Sequence, residues 1–365
     1  MIRKVFVIAI SISAYLAFQR SWFFLASLAV VLFFGYEQYL RSRMIEYRNK
    51  IMPGKVKNQA IFLPYSEEEY NRDFRSILPS GKSRLNVFPQ KATLQSNLIS
   101  FEEGLRTTSF VPINPTNKIY LFGGSTMLCA EVPDDYTISS QLQKIINSGS
   151  TAPAKRYEVI NCGVGGASLK ANYELFKQTE ITKGDVCLFY FGVNEYDFSS
   201  VDFKLRSPFH RNDWLKNIEN GLKKTQLQSI NRLFLKFKVF RENSVQIEEI
   251  VTRDENLMNL INDRCQSNKV KFLAILQPHL FTRVPMTKID KTHLWHYQNK
   301  ADIMARQVLF EAFVNQFKNH NYFHDGRGIF NHTDVDVYID WCHPNYMGNK
   351  IVADFFYSVI EQQLL

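Results

Sequence analysis

An α/β fold with a parallel sheet covered on both faces, preceded by N-terminal transmembrane helices, is predicted by three observations. Short apolar runs alternate with helical patterns from Lys118 onward, as βα units do. The first three of those runs each end in a glycine-containing turn that carries a polar residue. Such turns are where a parallel sheet collects its working groups. Finally, two uncharged stretches lie within the first forty residues. Composition agrees with all three. Of 365 residues, 45% are hydrophobic and 22% charged, with 30 Phe and 17 Tyr. That suffices for a sizeable core and excludes a disordered, collagen-like or disulfide-stapled chain. A slightly negative mean hydropathy excludes a polytopic membrane protein throughout.

The elements run in chain order. Val5 to Phe18 carries no charge, Gln19-Arg20-Ser21 interrupts, and Trp22 to Tyr36 is again uncharged. Together the runs are too long for one span of about 20 residues. Extended to Ile2–Phe18 and Ser21–Leu40, each reaches across a bilayer, the first barely. A cleaved signal peptide is the competing reading of Met1–Phe18, since Arg3 and Lys4 precede a short apolar stretch. No small-x-small cleavage site comes after it. Residues 1–40 therefore read as a membrane anchor of two short transmembrane helices. Arg3 and Lys4 precede the first run, only Arg20 lies between the runs, and Arg41, Arg43, Arg48, Lys50, Lys55 and Lys57 follow the second. Basic flanks stay in the cytoplasm, so the hairpin places the rest of the chain on the cytoplasmic side. The alternative is a single span with the domain on the extracytoplasmic face.

Residues 41–116 follow, and from Ile51 to about Thr116 the chain lacks clear periodicity and carries Pro53-Gly54, Pro64, Pro79-Ser80-Gly81, Pro89, Pro112 and Pro115. They read as a linker and extended region with short elements, lying on or wrapping the next domain. That domain occupies 117–365. Strands are predicted at Lys118–Phe122, Tyr157–Asn161, Asp185–Phe191 and Lys271–Gln277. Helices are predicted at about Ile138–Asn147, Leu169–Gln178, Ala301–Lys318 and Gly348–Gln363.

The chemistry-bearing residues cluster at strand ends and in Tyr338–Gly348. Ser125 directly follows a strand, and the glycines before it let the backbone turn sharply and expose the hydroxyl. A serine nucleophile needs a base. His343 is the candidate, with Asp340 three residues earlier to orient the ring. Acyl transfer also needs donors aimed at the developing oxyanion. The amides of Ser125 and Gly166 and the side chain of Asn194 are available for that. Each part alone has a plain structural alternative: a loop, a strand-end cap, an N-terminal cap of the last helix. Their joint occurrence on a βα scaffold favours the chemical reading.

These four segments resemble the blocks of the SGNH (GDSL-type) hydrolase superfamily. Gly123-Gly124-Ser125-Thr126 stands at the first block and Asn161-Cys162-Gly163-Val164-Gly165-Gly166 at the second. Gly192-Val193-Asn194-Glu195 stands at the third and Asp340-Trp341-Cys342-His343-Pro344 at the last. The resemblance implies a three-layer α/β/α sandwich with a parallel five-stranded sheet. It also implies Ser125, His343 and Asp340 as catalytic triad, and Ser125, Gly166 and Asn194 as oxyanion hole. Gly124 replaces the Asp of Gly-Asp-Ser, and Glu195 replaces the second Asp of Gly-x-Asn-Asp. The resemblance spans about Asn117 to Leu365. The third and last blocks are farther apart than a compact member needs, so about 199–267 reads as an insertion.

Between Val201 and Asn243 that insertion is strongly basic, and Leu215, Ile218, Leu222, Ile230, Leu233, Phe234 and Phe237 recur at helical spacing. A lid with a solvated basic face, or a basic amphipathic helix on a membrane surface, fits this pattern. No recognition motif supports nucleic acid as a partner. His293 and His296 lack a third ligand, and Asp334, Asp336 and Asp340 read as solvated or triad-related, so neither a metal nor another cofactor is expected. Cys129, Cys162, Cys187, Cys265 and Cys342 read as buried or site-lining thiols rather than a disulfide framework. The expected activity is that of a membrane-anchored serine esterase or acyltransferase acting on an acyl, most plausibly acetyl, ester of a glycan or lipid. The expected partners are the bilayer, that acylated substrate and a membrane acyltransferase. A non-catalytic accessory subunit of a membrane acyltransferase or envelope-glycan assembly is the alternative.

Overall fold

The computed structural model describes residues 94–148, 156–195, 228–296 and 300–364, together with Glu69 in a helix. The chain divides into two compact units, Met1–Lys57 with Ser207–Phe237 and Asn58–Arg206 with Lys238–Leu365. The sheet and the candidate site belong to the second unit. The runs Ile2–Phe18 and Ser21–Leu40 lie outside the described residues. Among the described residues no helix is long and apolar enough to cross a membrane.

Among the described residues, eight strands form one sheet. They are β1 (Leu94–Gln95), β2 (Ser100–Glu102), β3 (Leu105–Arg106), β4 (Asn117–Gly123), β5 (Tyr157–Gly163), β6 (Val186–Phe191), β7 (Lys271–Leu276) and β8 (Phe323–Asp325). Their spatial order is β1-β2-β3-β5-β4-β6-β7-β8. From β5 to β8 the neighbours are parallel, which supplies the five parallel strands expected. The expectation of a purely parallel sheet is corrected, however. The strands β1 to β3 run antiparallel, and β3 joins the edge of β5 through the pair Arg106↔Asn161. These three strands come from the region read as linker. They are two or three residues long, too short for a periodic signal.

The helices are α1 (Ser125–Leu128), α2 (Ile138–Ser148), α3 (Leu169–Gln178), α4 (Gln228–Ser267), α5 (Lys288–His296), α6 (Lys300–Phe317) and α7 (Tyr346–Leu364). Side chains of β4, β6 and β7 alternate between two cores. Phe122, Phe189, Phe272 and Leu276 face Phe176 of α3, Met258 and Ile261 of α4, and Phe310 and Phe313 of α6. Ile119, Leu121, Leu188 and Leu273 face Leu142 of α2 and Val352 and Phe356 of α7. Helices on both faces explain why these strands read as unbroken apolar runs. The first core also uses much of the Phe excess: Phe122 stacks on Phe189 at 4.6 Å, and Phe176 meets both edge-on at 5.7 and 5.6 Å.

The last part of the expected insertion is α4. The helical spacing at Ile230–Phe237 falls within it, and Ile247, Ile250, Val251, Met258, Ile261 and Cys265 are buried against the sheet. This helix therefore forms the crossover from β6 to β7, while residues 199–227 lie outside the described set.

Candidate active site

Strand β4 ends at Gly123, and α1 begins two residues later at Ser125. A side chain at Gly124 has no room: a Cβ there would lie 2.2 Å from Asn194 Nδ2 and 3.2 Å from the Ala167 carbonyl. The same crowding recurs at Gly163, where a Cβ would lie 2.3 Å from the Leu128 amide nitrogen. Two missing side chains thus let the backbone of α1 settle between the ends of β5 and β6. Asn161 fixes it from below. Its buried amide donates to the Met127 carbonyl at 2.9 Å and to Ser139 Oγ at 3.2 Å, and its oxygen accepts from the Gly163 amide at 2.9 Å.

The last block closes over this turn. Asp340 uses both carboxylate oxygens: Oδ1 accepts from the amides of Cys342 and His343, each at 2.8 Å, and Oδ2 lies 2.7 Å from His343 Nδ1. One oxygen sets the turn and the other sets the ring. His343 Nε2 then lies 2.8 Å from Ser125 Oγ. Asp340 does not cap the last helix, α7. Asn345 does, accepting from the Gly348 amide at 3.0 Å and donating to the Asp336 carbonyl at 2.7 Å. The three residues expected to act together are therefore joined in one hydrogen-bonded series.

Electrostatics follow from burial and from these bonds. Burial alone would raise Asp340, but the hydrogen bonds from His343 and Cys342 hold it below the usual carboxylate range. Burial alone would lower His343. The bonds to Asp340 and Cys342 and the charge of Glu131 outweigh it and push the imidazole up to about 12. Ser125 begins α1, so its amide belongs to the first turn, whose N–H groups have no acceptor within the helix. Gly166 adopts the left-handed region at φ 74°. The side chain of Asn194 lies against Gly124 and donates to the Ala167 carbonyl at 3.0 Å. The second and third blocks are thereby brought beside Ser125.

Three contributors were not legible in the sequence. Glu131 Oε1 lies 3.7 Å from His343 Nε2. Arg106 of β3, fully buried, donates to the Val132 carbonyl at 2.8 Å and to Asp134 at 2.7 Å, fastening the loop that carries Glu131. Asp254 of α4 acts on Glu195: burial raises that carboxyl, the Asp254 charge raises it further, and it reaches about 8. Glu195 accepts from the Leu169 amide at 2.8 Å, at the start of α3, and from the Gly192 amide at 3.3 Å. The only signal for any of them was the departure at position 195.

All five cysteines are free and buried, as expected. Burial pushes Cys129 up to about 12 and Cys342 up to about 11, so both stay thiols at neutral pH. Among the described residues, Asp340, Cys342 and His343 are the one group whose ligand-type atoms lie close enough to share an ion. Those atoms already bond to one another, and no metal is assigned there.

Comparison with solved structures returns a lipolytic protein of the G-D-S-L family and several esterases. A member of the lipolytic G-D-S-L family from Veillonella parvula is 15% identical, with 67% of this chain and 97% of that chain covered and a TM-score of 0.35. A psychrotrophic esterase from Pseudoalteromonas sp., inhibited by monoethylphosphonate, is 14% identical, with 68% and 98% covered and a TM-score of 0.33. An acetyl xylan esterase from Geobacillus stearothermophilus is 16% identical, with 68% and 96% covered and a TM-score of 0.33. No family model matches the chain, and no curated protein matches it. The functional reading stands on the arrangement of Ser125, His343 and Asp340, not on these likenesses.

Proposed function

We propose that the chain is a serine esterase or acyltransferase in which Ser125, His343 and Asp340 form the catalytic triad. The observation that carries this is the unbroken series of contacts, 2.8 Å from Ser125 Oγ to His343 Nε2 and 2.7 Å from Nδ1 to Asp340. His343 Nε2 takes the proton of Ser125 as Oγ attacks the ester carbonyl. Asp340 keeps the ring in the tautomer that leaves Nε2 free to accept. The oxyanion rests on the amides of Ser125 and Gly166 and on Asn194. Collapse expels the alcohol, which takes the proton from Nε2. Water or a second hydroxyl then repeats the sequence on the acyl-Ser125 ester. The unbroken hydrogen-bonded series favours this over the accessory-subunit reading.

A fluorophosphonate probe tests it. Ser125 of the full-length protein should become covalently labelled, and Ser125→Ala should abolish labelling and lower aryl-acetate turnover by at least about 10⁴-fold. Undiminished turnover by repurified Ser125→Ala would show that another group is the nucleophile.

The finer parts of the proposal rest on the sequence. Residues 1–40 anchor the enzyme in a bilayer, and the substrate is an acyl ester, an acetyl ester first, of a glycan or lipid met there. A membrane acyltransferase is the proposed partner. The basic residues from Arg41 to Lys57 and five unbridged thiols support a cytoplasmic catalytic domain. An engineered Lys183→Cys, in a background without the native cysteines, should resist a membrane-impermeant maleimide in intact cells. Labelling before permeabilisation would place the domain on the other side.

A further inference from the structure

Glu131 belongs to none of the four blocks, yet its carboxylate lies on the reacting face of the base. The local chain explains how. Helix α1 stops after one turn because Cys129 adopts the left-handed conformation at φ 53°, and its amide bonds back to the Ser125 carbonyl at 3.0 Å. The Val132 amide then donates to the Cys129 carbonyl at 3.3 Å, which folds the segment back over Ser125. Arg106 holds this reversal in place through the Val132 carbonyl and Asp134. The outcome is a carboxylate oxygen 3.7 Å from His343 Nε2, on a side chain 30% exposed. Ser125 Oγ lies 2.8 Å from the same nitrogen.

We propose that Glu131 is a positioning residue that holds the imidazolium form of His343 through Nε2, competing with Ser125 for that proton. The inference rests on the serine-hydrolase reading. A single N–H on Nε2 faces two oxygens, Ser125 Oγ at hydrogen-bond distance and the Glu131 carboxylate at ion-pair distance, and only one of them is the nucleophile. While the imidazole is neutral, Nε2 is an acceptor and Ser125 donates to it. Once the imidazole is protonated, the charged acceptor is the better partner. Glu131 therefore favours the imidazolium that forms once Nε2 has taken the Ser125 proton, and in turnover it keeps Nε2–H in place for the leaving alcohol that must collect it.

The groups facing His343 define what the test must separate. Asp340 and the Cys342 thiol come from its own segment, and Ser125, the Cys129 thiol and Glu131 from the segment after β4. Arg106 of β3 acts on Glu131. Asp340 acts on Nδ1 and is unchanged by substitution at position 131. Burial raises Glu131, the neighbouring Asp340 charge adds to that, and the His343 charge draws it part of the way back down.

The experiment is the pH dependence of kcat/KM for a neutral aryl acetate, whose acidic limb reports the base in the free enzyme. Removing a neighbouring negative charge lowers the pKa of a cation. Glu131→Gln should therefore move the limb down by about one pH unit or more and raise kcat/KM about fivefold or more at a pH one unit below the wild-type limb. Glu131→Asp, which keeps the charge, should return most of the shift, whereas a purely structural role would leave the limb in place in every variant. An unmoved limb in Glu131→Gln overturns the proposal, and so does an equal shift in Glu131→Asp. Should Glu131→Gln not fold, Glu131→Ala provides the same reading; failure of both to fold assigns the residue a structural role and overturns it as well. Fluorophosphonate labelling is followed in parallel. No labelling of wild-type Ser125 defeats the hydrolase reading itself, whereas labelling with an unmoved limb defeats only the role of Glu131.

Discussion

The turns after β4 and β6 each depart at one position from the block pattern they resemble, in opposite directions. After β4 a side chain is removed: Gly124 stands where an acid is usual, and the space is filled by the Asn194 amide. After β6 an acid is lengthened: Glu195 reaches past its own turn to the Leu169 amide at the start of α3. There it does what Ser168, at the N-cap position without a side-chain cap bond, does not do. The first change concerns access to the nucleophile, and the second concerns the stability of the scaffold behind it. Both meet at Asn194, which touches Gly124 and precedes Glu195. A departure at a site position thus need not weaken a site. Here the two together define where one donor sits.

Restoring the usual acid breaks this arrangement most directly. Gly124→Asp should displace Asn194 and lower kcat on aryl acetates by on the order of 10²–10³, the typical cost of one oxyanion donor. Turnover within a fewfold of wild type would show that the turn relaxes around the new side chain. Asn194→Ala should cost a similar factor, and it sharpens the comparison in a cycle. If Gly124→Asp acts only by moving Asn194, the double variant should be no slower than either single one. A product of the two losses would mean that position 124 acts on Ser125 independently.

The smallest expected effect belongs to the second turn and reads out in stability. Burial and Asp254 raise Glu195 to about 8, and burial raises Asp254 to about 6 against the Arg253 ion pair. An unfolded Glu titrates near about 4.3. For an acid raised on folding, the associated stability is full below the unfolded pKa and lost as pH rises through the folded one. The wild-type Tm should therefore fall as pH rises from about 4 to above 8. In Glu195→Gln the fall at the alkaline end should be reduced, leaving a shallower decline from Asp254 at lower pH. Parallel Tm curves for the two proteins would mean that Glu195 is not the group responsible.

Much of the site is legible in the sequence because each block is local. Ser125 after an apolar run, and Asp340 three residues before His343, are spacings that a strand end and a single turn convert directly into geometry. Strands β4, β6 and β7 announce themselves as continuous apolar runs because helices cover both faces. Helix α3 lies at Leu169–Gln178, where its pattern places it. Strand β8 escapes notice because Phe323–Asp325 offers one buried residue and no period.

What the tertiary structure alone decided is the set of charges around these blocks. Arg106 is distant in sequence from the site and sits in a strand of two residues, yet its guanidinium, buried by β3 pairing to β5, fastens the loop bearing Glu131. Asp254 lies on a helix that in sequence reads only as insertion, and its effect on Glu195 requires the crossover from β6 to β7. Periodicity records which face of an element is covered, because burial of apolar area repeats with the element's own geometry. It does not record which charge comes to lie beside which. That depends on strand order and crossover, so the sequence by itself marked out the proposed nucleophile, its proposed base and the frame, and the packing placed Glu131, Arg106 and Asp254 around them.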